Sequence, residues 1–266
     1  MIPAVSLDID RVRRTIDEQI SRFAALLRSV GDPDRIAIGR WTIGEAAAHV
    51  VHSTQSNASI LRGEGSPLND VKRLAEFNDL GLGEIGERDP KMLAADIEKA
   101  GILVDEAIAM RRWDDPVEWH GGIVLPAAAV ASLPIGECIL HGFDIAQAVG
   151  RPWPIPRDDA ALLFDAYTFF LPHYVHPENA KGVHLCYDIR IRGGSRVFFV
   201  IDDGTLRVEP PSKRRVDCHI SADPAAFLLV GYNRVPQLRQ ALTGKLFAWG
   251  RKPWVGLQMV KYLASP

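Results

Sequence analysis

The sequence predicts an α+β protein, in which a four-helix N-terminal half precedes a C-terminal half built on an antiparallel sheet. Three observations lead to this prediction. Apolar side chains recur every three or four residues in several segments of the first 150 positions, which is the spacing of one helix face. From about residue 183 the period changes to two, as in a strand with one solvated face. A proline-rich stretch, Arg151 to Pro156, lies between the two patterns, so we predict domains at 1–155 and 156–266.

Length and composition exclude several classes of protein. The chain has 266 residues, of which 24% are charged and 47% hydrophobic, a balance typical of soluble globular proteins. Lys and Arg number 31 against 33 Asp and Glu, so we expect no nucleic-acid partner and no membrane partner, because non-specific binding to nucleic acid or to an anionic membrane needs excess positive charge. The three cysteines form no CxxC pair, and the N-terminus lacks the pattern of a signal peptide. We therefore expect a cytoplasmic protein.

The N-terminal half contains four predicted helices. They cover about 8–30, 41–61, 90–112 and 127–149. Thr42 and Glu45 form a capping box at the start of the second helix, and Pro134 marks either a first turn or a kink in the fourth. The polar segment 62–88 is predicted to be a long loop with one helical turn at Val71 to Phe77.

The C-terminal half begins with a predicted helix at about 158–171, followed by the sheet. Strands are expected at about 183–191, 196–201, 206–208, 216–221 and 246–249, with two short helices after Asp223 and a terminal helix from Pro253. In the first strand, alternation predicts a solvated face. Its members are His184, Cys186, Asp188, Arg190 and Arg192.

The fourth helix carries a candidate metal site. Glu137 and His141 are four residues apart and share one helix face, with Asp144 one turn further along. Helix bundles hold metals with inward-facing carboxylates and imidazoles, so a third ligand is needed from another helix. His49 is the preferred candidate because it lies on the stripe that the cap anchors. Two His and one Glu with an open position form a catalytic zinc ligand set, although other first-row metals accept the same donors.

Each of these residues also has a simpler interpretation. A Glu and a His four apart often form only a weak surface pair. Asp144 either orients a ligand imidazole or is an ordinary solvated helix residue. Cys138 lies about 100° round the helix from Glu137 and is interpreted as a core thiol. His52, the other histidine of the second helix, could support a metal ligand or contact the substrate, but it is interpreted as a surface residue.

Two segments carry a resemblance to a known family. Trp41–His49 (WTIGEAAAH) and Glu137–Asp144 (ECILHGFD) together resemble the actinobacterial mycothiol-dependent maleylpyruvate isomerase-like proteins. The order of helices and the proline-rich exit extend the resemblance over nearly the whole chain. It implies a DinB-like metal-binding four-helix bundle followed by a sterol-carrier-like α+β domain. Carried over by position, the metal ligands are His49, Glu137 and His141, and Arg234 is the candidate for a catalytic arginine from the C-terminal domain.

The resemblance also implies a chemistry. A divalent metal, with zinc as our choice, would lower the pKa of a bound mycothiol, and the thiolate would attack a small electrophilic substrate. Addition followed by elimination isomerises the substrate, whereas displacement transfers the thiol. The alternative is a carrier for apolar molecules with a non-catalytic metal site, in which the apolar segments 246–249 and 254–257 line a cavity instead of packing in the core. We expect a monomer or a homodimer.

Overall fold

The computed structural model describes residues 4–66 and 68–263 and contains two compact units. One unit is Asp8–Pro154, and the other begins at Ile155. Residues 4–7 belong with the second unit, where Val5 packs in the hydrophobic core, although the sequence division places them in the first. The predicted limits at residues 1 and 266 lie outside the described residues.

The first unit is a four-helix bundle. Its elements are α1 (Ile9–Arg28), β1 (Ile36–Ile38), β2 (Trp41–Thr42), α2 (Ile43–Arg62), α3 (Leu74–Glu84), α4 (Pro90–Ile108), β3 (Pro116–Glu118), β4 (Val124–Pro126), α5 (Ala127–Ala131) and α6 (Leu133–Ala148), with 3₁₀ turns at Val71–Arg73 and His120–Gly122. Helices α1 and α2 each pack against both α4 and α6, which places α2 and α6 side by side. The strands form two antiparallel pairs, β1 with β2 and β3 with β4.

The capping box at the start of α2 is confirmed. The Thr42 hydroxyl accepts a hydrogen bond from the Glu45 amide at 3.2 Å, and the Glu45 carboxylate accepts one from the Thr42 amide at 2.8 Å. Both bonds satisfy amides that have no partner within the helix. They fix where α2 begins and therefore which of its residues face α6.

Residues 74–84 form the helix α3, so the prediction of a loop with a single turn was wrong there. The segment contains Gly81 and Gly83, which weaken a helix by themselves. Packing against α2 compensates, because α3 lies close to that helix. A Cβ atom at Gly81 would stand 2.3 Å from Cε1 of His52, so only glycine allows this approach.

The apolar stretch Ala127–Ala148 is the one described helical segment long and apolar enough to cross a membrane. Most of it, 83% of its most apolar window, is buried inside the protein, as in a core helix. The backbone breaks at Ser132, which separates α5 from α6, and Pro134 lies in the first turn of α6. This is the first of the two positions that the sequence allowed for the proline.

The second unit is built on a five-stranded sheet. Its elements are α7 (Arg157–Tyr167), α8 (Pro177–Ala180), β5 (His184–Ile191), β6 (Arg196–Asp202), β7 (Thr205–Glu209), β8 (Cys218–Ala222), α9 (Pro224–Gly231), α10 (Gln237–Leu242) and β9 (Leu246–Trp249), with 3₁₀ turns at Leu171–His173, Pro253–Leu257 and Met259–Tyr262. The strand order is β7-β6-β5-β8-β9. All neighbours are antiparallel except β5 and β8, which are parallel, so the predicted antiparallel sheet is mixed. The parallel pair arises because the chain crosses over after β7, and β8 then pairs with the edge of β5 that β6 does not occupy.

One face of this sheet packs in the hydrophobic core. Tyr187 and Ile189 of β5 lie there with Phe199 of β6 and Phe164 of α7. The opposite face of β5 was expected to be solvated, and in its centre that prediction was wrong. The Asp188 side chain is 0% exposed, and Cys186 is buried in a small second apolar cluster.

Candidate metal centre

The structure brings the three predicted ligands together inside the helical bundle. His49 comes from α2, and Glu137 and His141 come from α6. Oε2 of Glu137 lies 3.2 Å from Nε2 of His49 and 3.4 Å from Nε2 of His141. All three ligand atoms lie within 4.8 Å of one another, and both histidines are buried.

Two of the three distances between these donor atoms fit a tetrahedral metal. Ligand atoms about 2.0–2.1 Å from a tetrahedral ion stand about 3.3–3.4 Å apart, which is close to the two distances between Glu137 and the imidazoles. Two imidazole nitrogens and one carboxylate oxygen leave a fourth position open for a further ligand. The donor chemistry and these two distances therefore suit zinc, and the same donors suit other first-row metals.

The charges of the three groups are coupled. Burial alone would raise the pKa of Glu137, but the neighbouring imidazoles of His49 and His141 outweigh it and hold that pKa well below its usual range. Burial alone would lower the pKa of His141, but Asp144 and Glu137 raise it to about 9. The cluster thus holds an ionised carboxylate and attracts positive charge to the point between the side chains.

Trp41 and Asp144 surround the imidazoles. The Trp41 ring lies 4.9 Å from the His49 ring and 6.0 Å from the His141 ring, between centroids. Oδ2 of Asp144 lies 3.4 Å from Nδ1 of His141, on the side of the ring opposite Glu137. Asp144 is only 5% exposed, so its interpretation as a solvated helix residue was wrong. A carboxylate in this position can orient a ligand imidazole.

Gly142 allows the chain after α6 to fold back against the site-bearing helix. A Cβ atom at Gly142 would stand 2.4 Å from Cζ2 of Trp153. The indole instead lies over this glycine and donates a hydrogen bond to the carbonyl of Ile139 at 3.1 Å. The guanidinium of Arg22 lies 4.6 Å from the centre of the same ring. The proline-rich exit predicted from the sequence therefore covers α6 directly after His141.

A second group of aromatic side chains was not identified from the sequence. His52 packs against Phe77 of α3 at 5.7 Å, and Phe77 packs against His120 at 5.6 Å, between ring centroids. The His52 side chain is only 11% exposed, so its interpretation as a surface residue was wrong. Nδ1 of His120 lies 2.5 Å from the Ser66 hydroxyl, and burial lowers the pKa of His120 to about 4. Gly121 and Gly122, which follow His120, were the one feature of the sequence that indicated a tight turn here. Both adopt positive φ in the structure.

Two remaining predicted residues lie elsewhere. Cys138 is fully buried in α6 and burial raises the pKa of its thiol, which confirms the interpretation as a core thiol. Arg234 belongs to the sheet unit and follows α9. Its guanidinium donates a hydrogen bond to the carbonyl of Tyr232 at 2.9 Å, and its catalytic role stays a prediction.

Comparison with known proteins gives two family matches and a structural match. Residues 13–146 match the mycothiol maleylpyruvate isomerase N-terminal domain, and residues 173–248 match the SCP-2 sterol transfer family. A crystal structure of the mycothiol-dependent maleylpyruvate isomerase aligns with a TM-score of 0.55 and 14% identity over 93% of this chain and 95% of that chain. A histidine-to-alanine mutant of that enzyme aligns with the same values. No curated protein matches the chain.

At 14% identity the structural likeness establishes the fold and not the activity. The N-terminal domain match is more informative, because residues 13–146 are just over half of the 266 residues and include all three clustered side chains. The second match covers β5 to β8 and most of β9, the whole order of strands that builds the sheet. The chain therefore belongs to the mycothiol-dependent maleylpyruvate isomerase-like family, with the helical domain of that family followed by its sterol-carrier-like domain.

Proposed function

We propose that this protein is a metal-dependent enzyme that uses mycothiol as a thiol cofactor or co-substrate. The observation that carries the proposal is the convergence of His49, Glu137 and His141 at the spacing of a three-ligand site with an open fourth position. The substrate would be a small electrophile. Family membership supports mycothiol as the thiol, and a cytoplasmic location would supply it.

His49, Glu137 and His141 would hold a divalent cation, for which we choose zinc. Such a cation would lower the pKa of the thiol, and the thiolate would be available for addition and elimination, giving isomerisation, or for displacement, giving thiol transfer. The chain's own residues set the geometry. Asp144 faces Nδ1 of His141 and so favours the tautomer with the proton on Nδ1 and a free lone pair on Nε2, which a metal can bind.

Trp41 would keep the ligand rings in place. Its ring lies beside both imidazoles, with centroids 4.9 Å from that of His49 and 6.0 Å from that of His141, so packing against the indole would restrict their rotation. We assign to Arg234 the role of the arginine that the family resemblance implies. A guanidinium suits this role because it keeps its charge and presents paired donors to a carboxylate.

The test is metal analysis combined with a mycothiol titration. We expect about one equivalent of divalent metal in the purified protein and saturable mycothiol binding. His49→Ala and His141→Ala should lose both. His52→Ala is the matched control, since it removes an imidazole from the same helix three residues away. A His49 or His141 variant that keeps stoichiometric metal would overturn the assignment of that ligand.

A carrier for apolar molecules is the second candidate, and the match to the SCP-2 sterol transfer family favours it. The predicted lining residues do not enclose one cavity. Leu246 and Val255 are buried in the core of the sheet unit, whereas Phe247, Trp254 and Leu257 are more than half exposed. Lipid that copurifies with metal-free protein would support the carrier and contradict the enzyme.

A further inference from the structure

The open face of the five-stranded sheet carries an unusual set of side chains. Strand register places them in two adjacent rows on the side opposite the hydrophobic core. One row, from β7 to β9, is Glu209, Phe198, Asp188, His219 and Trp249. The next row, from β6 to β9, is Arg196, Arg190, Ser221 and Phe247. Charged and aromatic groups therefore lie side by side on one surface.

Asp188 is the centre of this surface. Its Oδ2 accepts hydrogen bonds from Nη2 of Arg190 at 2.6 Å and from Nδ1 of His219 at 2.7 Å. Its Oδ1 accepts one from Nε of Arg196 at 2.7 Å. Burial alone would raise the pKa of Asp188, but these donors outweigh it and hold that pKa well below its usual range. The carboxylate is thus ionised and fully occupied.

One carboxylate does not balance the two guanidinium groups. Arg190 and Arg196 stand directly opposite each other across β5 and β6, a position in which like charges destabilise a sheet. Both direct Nε and Nη2 toward Asp188, and neither Nη1 bonds to a described residue. Their side chains are 41% and 47% exposed. One positive charge and two sets of N–H donors therefore remain for a ligand.

The whole sheet unit has the same sign of charge. Residues 155–266 contain 15 Lys and Arg against 10 Asp and Glu, a formal net charge of +5, whereas residues 8–154 contain 16 against 23, a net charge of −7. The overall value of −2 hides this asymmetry. Long-range attraction at the sheet unit thus favours anions.

The aromatic side chains continue the surface beyond the arginines. Phe247 is 63% exposed and its ring is stacked on Trp249, with centroids 5.6 Å apart. Trp249 is stacked on His219 at 5.2 Å, and the guanidinium of Arg190 lies 5.3 Å from the Trp249 ring centre. Since strands are about 4.8 Å apart, the row from Arg196 to Phe247 extends over roughly 14 Å. A flat ring would find an exposed aromatic face at one end of this row.

We propose that the open sheet face binds a small organic oxyanion attached to a flat ring. Arg190 and Arg196 hold the phosphate or carboxylate group by their outward N–H donors, the Ser221 hydroxyl adjoins them in the row, and the ring of the ligand lies on Phe247. Planar guanidinium forks match these oxyanions, and aromatic stacking adds affinity for the ring. The site belongs to the sheet unit alone and is independent of the metal-dependent activity.

Isothermal titration calorimetry of the full-length protein tests the site. The probes are adenosine monophosphate, 4-phenylbutyrate, adenosine and inorganic phosphate, and in both ring-bearing anions several bonds separate the oxyanion from the ring. We expect one of the two ring-bearing anions to bind at least about 10-fold more tightly than adenosine and inorganic phosphate, because each of the latter engages only one half of the site. Which of the two binds distinguishes a phosphate from a carboxylate ligand. Absence of binding by both at millimolar concentrations would overturn the proposal.

Variants identify the residues. Arg196→Gln should weaken the ring-bearing anion about 10-fold or more, and Phe247→Ala should remove its advantage over inorganic phosphate. Arg190→Lys keeps the charge without the planar fork and should still weaken binding, which covers the case that Arg196→Gln does not fold. Arg239→Ala is the matched control, because it removes one exposed positive charge from α10 of the same unit. Equal weakening by Arg239→Ala would show non-specific charge attraction and overturn the proposal.

Discussion

Metal should stabilise the helical unit by an amount that can be calculated from linkage. If His49, Glu137 and His141 bind zinc only when the unit is folded, a free zinc concentration 100 times the dissociation constant adds about 2.7 kcal/mol to the free energy of unfolding. The unit comprises Asp8–Pro154. For a domain of about that size each kcal/mol raises Tm by roughly 2–4 °C, so we expect an increase of about 5–10 °C.

The assay is thermal unfolding of chelator-treated protein, followed by circular dichroism in the helical band, with and without zinc. His49→Ala, Glu137→Gln and His141→Ala each remove one donor and should abolish the increase. His52→Ala should retain it, because His52 packs against Phe77 and is not one of the clustered donors. Magnesium in place of zinc should have little effect, since it prefers oxygen ligands.

Two results would refute this reasoning. The first is an unchanged Tm of the unmodified protein in saturating zinc, which would mean that the three donors do not bind the ion in the folded state. The second is an undiminished increase in His49→Ala, which would place the bound metal elsewhere. A lower Tm of the variants in the absence of zinc would not contradict the assignment, because truncating a buried imidazole changes the packing whether or not metal binds.

Three further predictions concern stability. The pKa of His120 is about 4 in the folded state and about 6.5 when unfolded, so its contribution to the free energy of unfolding is complete above pH 6.5 and falls by about 3 kcal/mol as the pH falls toward 4. Urea unfolding at a series of pH values should show this loss, and the His120→Gln variant should not show it. Gly142→Ala should cost about 1–3 kcal/mol because the new Cβ meets the Trp153 ring, whereas Gly83→Ala, with open space around it, should be neutral or stabilising when Tm is compared. Asp188→Asn should cost about 2–3 kcal/mol in denaturant unfolding, since two half-exposed guanidinium groups lose their shared carboxylate; a cost below that of an ordinary surface pair, about 1 kcal/mol, would contradict its role as the centre of the sheet face.

The helices and the grouping of the three candidate ligands were predictable because they depend on local spacing. The capping box determines the start of α2, and the 3.6-residue period then determines that His49 faces inward. Glu137 and His141 are neighbours on any helix. Only the packing of α2 beside α6 depends on tertiary structure, and it follows from the topology of the four-helix bundle.

The features that were missed depend on partners distant in sequence. Residues 74–84 have the composition of a loop, but in the structure they form α3, which packs against α2 with Gly81 close to the His52 ring. Alternation in β5 correctly separates its two faces but does not say what covers them. Asp188 is buried by Arg196 on β6 and by His219 on β8, and nothing in the pattern of β5 itself predicts either neighbour.

The two units pose opposite electrostatic problems, and each has its own solution. In the helical unit, the donors of His49, Glu137 and His141 converge, so the cluster needs positive charge; the raised pKa of His141 expresses the same demand. On the sheet face, Arg190 and Arg196 share a single carboxylate and leave one positive charge uncompensated. Both arrangements cost stability in the isolated chain relative to apolar or evenly paired residues. A cation bound by the acidic unit and an anion bound by the basic unit would offset these costs, which is the physical reason to seek one ligand in each.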